Sequence, residues 1–320
     1  MNEDPGLAAR SPNGSPHAPH VPDKNRARLM RRAAGASVAV ATLLVGAKAL
    51  AYIGTESVAV LGALADSAAD LVASLGILFA VRQALTPADS DHRFGHGKAE
   101  PLISLAQSLF IAGSATFLLA EAVRHFLSPG PVANPLGGVA VILFSMAVTA
   151  GLVLYQRRTI RATGSLAIAA DSAHYAGDLL TNLGAIVALL MSAYLGWQIA
   201  DPIIGFAIAG VLYLTAWSVL RRSLDQLMDR ELPEDDREHI KMIVLGHHRV
   251  KGMHDLRTRA AGTQSFIQIH VEMDSTLNLA EAHEASDEIE KALRIAFPQA
   301  EILIHLDPHG SEEPPVLALS

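Results

Sequence analysis

Cysteine is absent from the 320 residues, which excludes disulfides, thiolate metal sites and cysteine nucleophiles. Charge is scarce too. Asp, Glu, Lys and Arg make up 18% of the chain, where a soluble domain usually carries about 25%. Aromatic residues are only 5%. A net charge of −7 with a pI near 6.0 provides no basic stripe, so nucleic acid is not an expected partner. What the chain has instead is apolar residues, 50% of the total, and a mean hydropathy of +0.29. That surplus must lie against something other than water. Histidine is plentiful at 14, so metal chemistry here would use imidazole and carboxylate ligands.

The first 25 residues are rich in Pro, Ser, Asn and Gly without periodicity and read as a disordered tail, not a signal peptide. After the basic run Lys24 to Arg32 come six apolar stretches, at about 33–53, 57–82, 101–123, 137–156, 166–194 and 198–220. Crossing about 30 Å of hydrocarbon takes roughly 20 residues, so each can span a membrane. Lys24, Arg26, Arg28, Arg31 and Arg32, then Arg82, Arg93 and Lys98, then Arg157, Arg158 and Arg161, then Arg221 and Arg222 fall on one side, against Arg124 on the other. Both termini are therefore expected in the cytoplasm.

Beyond Arg222 the composition becomes that of a soluble domain. Pro233 before Glu234, Asp235 and Asp236 predicts a helix start, ending near Gly246. Residues 253–261 and 265–273 read as strands, and Asn278 with Glu281 predicts a capped helix to about 297. A last strand runs over 301–307, with Ile302, Ile304 and Leu306 facing a core. The expected fold is a membrane all-α bundle of six helices plus a small α+β domain in the order αββαβ. The expected division is a tail at 1–25, a transmembrane domain at 26–222, a cytoplasmic domain at 223–308 and a tail at 309–320.

Ionisable groups within a spanning helix cost several kcal/mol and tend to mark a pathway or site. The second span carries Asp66 and Asp70, and the fifth His174 and Asp178. Each pair is four residues apart, on one face and about 6 Å apart along the axis. Two such helices can converge three oxygens and one nitrogen on a cation, a set suited to tetrahedral Zn²⁺ and also to Fe²⁺, Cd²⁺ or Co²⁺. The plainer alternative is polar helix packing, which two matched pairs make hard to sustain. Metal needs ionised carboxylates and a neutral imidazole, so metal and protons compete for the same atoms, the basis of an antiporter. A uniporter remains open. Asp171 is a candidate for the cytoplasmic mouth, and Lys48 carries no assigned role.

Between the second and third spans, Asp89, His92 and His96 can coordinate a metal from a short loop, or be a solvated turn. In the terminal domain His305 and Asp307 leave one face of their strand, and His270 sits on the polar face of its neighbour with Gln268 and Glu272. With His254 and His283 they suffice for two ions sharing a carboxylate. His17, His20, His125, His239, His247, His248 and His309 read as surface or loop residues.

The runs ALADSAADLVASL (63–75), DHRFGHGKAEPL (91–102), ADSAHYAGDLLTN (170–182), MHDLRTR (253–259), FIQIHVEM (266–273) and IHLDP (304–308) resemble the cation diffusion facilitator family, and within it the bacterial zinc and iron efflux branch. The resemblance implies a homodimer in the bacterial inner membrane that exports divalent metal in exchange for protons, with lipid around it. It implies a transport site of Asp66, Asp70, His174 and Asp178, and a loop site of Asp89, His92 and His96. It further implies a cytoplasmic binuclear site of His254, His270, His283, His305 and Asp307, with Asp307 bridging. Lys98 and Asp229 occupy the positions of an inter-protomer charge interlock. A membrane metal sensor that moves no ions is the main alternative, and it makes Asp178 dispensable. An intramembrane aspartyl hydrolase fits poorly, because its acids would come from two helices.

Overall fold

The computed structural model describes residues 23–56, 58–127, 139–197 and 199–310. Six long helices come first: α1 (Lys24–Thr55), α2 (Val58–Ala84), α3 (Ala99–Leu127), α4 (Val139–Thr163), α5 (Leu166–Leu195) and α6 (Ala200–Leu227). Among the described residues α1, α2, α3, α5 and α6 are long and apolar enough to cross a membrane. The fourth, α4, has no charged residue from Val139 to Tyr155 and ends on Arg157, Arg158 and Arg161. The expected first residues of that span, 137 and 138, lie outside the described residues.

The helices outrun their apolar stretches. The first, α1, starts at Lys24, where Asp23 accepts from the Asn25 amide at 2.9 Å, so the basic run is helical. Lys24 and Asn25 therefore belong to the helix and not to the expected tail; residues 1–22 and the expected tail residues 311–320 lie outside the described residues. Large apolar side chains such as Leu50, Phe79, Phe117 and Leu214 point outward, as they do where hydrocarbon is the solvent. The interior carries the polar groups. Asp171 on α5 is fully buried; Ser37 Oγ of α1 donates to it at 2.5 Å and Gln156 Nε2 of α4 at 2.7 Å. It ties three helices together and does not line a mouth. Lys48 Nζ donates to Ser67 Oγ at 2.6 Å and to the Ala63 carbonyl at 3.2 Å, joining α1 to α2.

The second domain follows as α7 (Glu234–Leu245), β1 (Val250–Ala261), β2 (Gln264–Met273), α8 (Leu279–Ala296) and β3 (Ala300–Pro308). The sheet order is β1-β2-β3, antiparallel between the first two and parallel between β2 and β3. Alternation along the strands decides the layers. Ile267, Ile269, Val271 and Ile302 face Ile240 and Val244 of α7 and Ile289 and Leu293 of α8, and form the core. The even-numbered residues of β2 and odd-numbered residues of β3 face away from both helices. The expected cap on α8 is present: Glu281 N–H donates to Asn278 Oδ1, and Asn278 N–H donates to Glu281 Oε2, both at 3.0 Å.

Candidate metal centres

The i and i+4 spacing on α2 and α5 turns both acidic faces inward. His174 Nε2 lies 3.0 Å from Asp70 Oδ1 and 3.6 Å from Asp178 Oδ2. Asp70 and His174 are buried, and the Phe110 ring stands edge-on to the imidazole at 5.2 Å. One ligand atom from each of Asp70, His174 and Asp178 lies within 4.8 Å of the others, close enough to share one ion. Asp66 stands outside that trio, one turn along α2. It lines the same cavity of about 730 Å³ as His174 and Asp178, together with Ser114, Thr181 and Asn182. Those last three escaped the sequence reasoning, because neutral side chains in an apolar span carry no charge signal.

The cavity has a direction. On α2 and α5 its lining runs from His174 toward the end of the bundle opposite the αββαβ domain, through Asp66, Ala63 and Asn182. The other half is filled by Met30, Ala34, Ile77, Val81 and Ile168.

Asp89, His92 and His96 come together in the loop before α3. His92 Nδ1 is 3.3 Å and His96 Nε2 3.4 Å from the two oxygens of Asp89, with the imidazoles 4.5 Å apart. The His92 backbone N–H donates to Asp89 at 2.7 Å and, against slight desolvation, holds its carboxyl below the usual aspartate range. The His96 Nδ1 is buried with no hydrogen-bond partner among the described residues. The loop docks on the second domain: Arg259 lies over both Phe94 and Phe266, at 5.2 and 4.1 Å from the ring centroids.

On the sheet face away from the helices, His270 Nδ1 is 2.9 Å and His254 Nε2 3.7 Å from Asp307 Oδ2. His305 Nε2 lies 3.2 Å from the other oxygen, Oδ1. Asp307 thus offers an oxygen to each side, the arrangement of a bridging carboxylate. His283 does not join them. It sits on α8, across the sheet, 3.8 Å from Asp287 with its side chain 68% exposed. The helix that carries it packs on the core face, so within one chain it cannot reach the outer face.

Glu272, on the polar face of β2 beside His270, organises that edge. Its Oε1 is 3.1 Å from His254 Nδ1 and its Oε2 2.8 Å from His309 Nδ1. These bonds, His309 first and His254 next, hold the carboxyl below the usual glutamate value. A carboxylate on one imidazole nitrogen orients the other toward a metal. His309 is the exposed residue expected, held in place by these contacts; its backbone N–H also donates to Met273 O at 2.7 Å.

Residues 35–228 match the family described as "Cation efflux transmembrane domain", and residues 232–309 match "Cation efflux protein, cytoplasmic domain". The chain belongs to the cation efflux family. It is 46% identical to the "Cation-efflux pump FieF" of Shewanella oneidensis, over 87% of this chain and 94% of that protein. It is 44% identical to the Serratia proteamaculans protein of the same name, over 88% and 94%. A solved structure described as "Mode of Action of a Putative Zinc Transporter CzrB" is 37% identical over 25% of this chain and 99% of its own, with a TM-score of 0.24. As a cation efflux protein the chain is a membrane transporter of metal cations and not an enzyme.

In this cation efflux chain the expected inter-protomer pair closes within one protomer. Lys98 Nζ is 2.9 Å from Asp229 Oδ1, and Arg259 Nη1 3.3 Å from the same oxygen. Asp229 adopts a left-handed backbone, φ 54°, just past the end of α6, which turns its carboxylate toward the start of α3. Burial pushes the Asp229 carboxyl up, but Lys98 and Arg259 outweigh it and hold it low.

Proposed function

We propose that the chain is a proton-coupled antiporter that exports divalent metal from the cytoplasm, with Zn²⁺ as principal cargo and Fe²⁺, Cd²⁺ or Co²⁺ as alternatives. The observation that carries this reading is the convergence of Asp70 and Asp178, from two helices, on a single nitrogen of His174 in the bundle interior. Asp66, from the same cavity, completes the transport site. A carboxylate–imidazole set holds either a cation or protons, and occupancy by one displaces the other. The cavity running from His174 toward the far end, with the near half packed, fits a state from which cargo leaves.

The chain works as a homodimer in the bacterial inner membrane with both termini cytoplasmic, divided into a transmembrane domain at 26–222 and a cytoplasmic domain at 223–308. The loop site (Asp89, His92 and His96) and the cytoplasmic centre (His254, His270, His305 and Asp307) bind metal as regulatory sites. The donor sets fit: imidazoles, a shareable carboxylate and an orienting Glu272. His283, exposed on α8, is left for a ligand role across the dimer.

The test is metal-driven proton flux in proteoliposomes with Zn²⁺, Cd²⁺, Fe²⁺ and Mn²⁺ in turn, wild type beside Asp178→Ala. Flux in wild type and a loss in the mutant beyond the roughly 10–100-fold typical of an outer-shell partner is the expected result. Absence of flux from both, with metal still bound, would replace the antiporter with a non-transporting sensor.

A further inference from the structure

Three parts of the molecule meet at one buried carboxylate that the transport chemistry does not use. Glu100 lies in the first turn of α3 and is 1% exposed. Its Oε2 accepts from Ser165 Oγ and from the Ala167 backbone N–H, the latter at 3.3 Å. Ser165 is the N-cap of α5 and accepts in turn from the Ile168 N–H at 3.3 Å. The buried carboxyl group therefore sits at the amino end of α5, where the helix dipole favours negative charge. About 13 Å further along that helix, at 1.5 Å per residue, stands His174.

The other face of Glu100 touches the second domain. Gly262, at φ 63° in the turn between β1 and β2, comes so close that a Cβ there would lie 3.1 Å from Glu100 Oε1 and 2.8 Å from the Gly97 carbonyl. A Cβ on Gly97 would lie 2.3 Å from the Ala261 carbonyl. Backbone thus packs on backbone between the hairpin turn and the segment that follows His92 and His96. Lys98 and Arg259, both on Asp229, flank this contact. A shift of the αββαβ domain has a direct mechanical route through Gly97 and Glu100 to the start of the helix bearing His174 and Asp178.

We infer that Glu100 is a positioning residue for the transport centre: it fixes the start of α5 against the docked β1–β2 turn, so that the turnover rate depends on that docking. The inference rests on the antiporter reading for its kinetic arm only. Coupling of this kind is shown by non-additive perturbation and not by proximity.

The kinetic arm measures zinc-dependent proton flux against zinc concentration in proteoliposomes for wild type, Glu100→Gln, Glu100→Asp, Gly97→Ala and the double variant Gly97→Ala/Glu100→Gln. Glu100→Gln and Gly97→Ala are each expected to lower the maximal rate about ten-fold, with KM moving by less than about two-fold. Glu100→Asp restores part of the rate, and the double variant is no slower than the slower single one. A proportionate rise in KM at constant maximal rate would place Glu100 in the ion path and overturn the proposal. Multiplying losses in the double variant would overturn it too.

The second arm needs no transport: hydrogen exchange on the full-length protein in detergent. In both single variants amides at 166–171 and at 260–265 should exchange faster than in wild type, with α8 unchanged. Unaltered protection at 166–171 sinks the proposal. If wild-type flux is absent, the antiporter reading fails while this arm still decides whether Glu100 holds α5.

Discussion

Glu272 takes a hydrogen bond on each of its oxygens, from His309 and from His254, and that fixes which way His254 presents its other nitrogen. Glu272→Gln keeps the shape but loses the charge that orders both rings. The zinc affinity of the cytoplasmic centre should fall by about 10–100-fold. Competition against a chromophoric chelator checks it; an unchanged affinity would mean that His254 is held by the fold alone. The pH dependence has a definite sign. Because the folded carboxyl lies below its ordinary value of 4.5, its contribution is fully present above that value. It is lost as pH falls through the depressed folded value. In metal-free protein the His254 and His309 ring resonances should therefore report a shared step below 4.5, absent from Glu272→Gln.

At the scale of elements, spacing was informative where one helix or strand fixes the outcome by itself. The pairs on α2 and α5 were legible because i and i+4 place two residues on one face whatever the helix packs against. The same holds for His305 and Asp307 on β3. What was hidden depends on which layer an element joins. His283 has the right residue type and sits in a well-signalled helix, yet α8 covers the core face and His283 stays across the sheet. The register of β1 was hidden too. The pairing shifts between His254 and Arg257, with Asp255 at φ 44°, and that irregularity seats His254 opposite His270. The α8 capping box was legible and can be tested. Asn278→Ala removes one acceptor and half of a reciprocal pair, at a cost of about 1 kcal/mol. Since the box secures only the first turn of α8, hydrogen exchange should accelerate at 279–283 and stay unchanged at 289–296; acceleration throughout α8 would show that the cap governs the whole helix.

For the molecule as a whole, orientation is the property that function needs and that geometry alone does not give. The positive residues at the ends of α2, α4 and α6 and at the start of α1 gather at the end that carries the αββαβ domain. The proposed cytoplasmic placement of this end rests on that bias. Export then requires the cavity of Asp66, Asp178 and Asn182 to run toward the outside, as its lining does. The absence of cysteine makes this testable without a background-free variant first being built. Ser90→Cys, in the exposed loop before α3, and Tyr194→Cys, 85% exposed near the end of α5, mark opposite ends of the bundle. In intact cells a membrane-impermeant maleimide should label Tyr194→Cys and spare Ser90→Cys; permeabilisation should make Ser90→Cys reactive. The reverse pattern would turn the exporter into an importer for the same ligand geometry, because the direction of metal movement follows from which end of the bundle faces the cytoplasm.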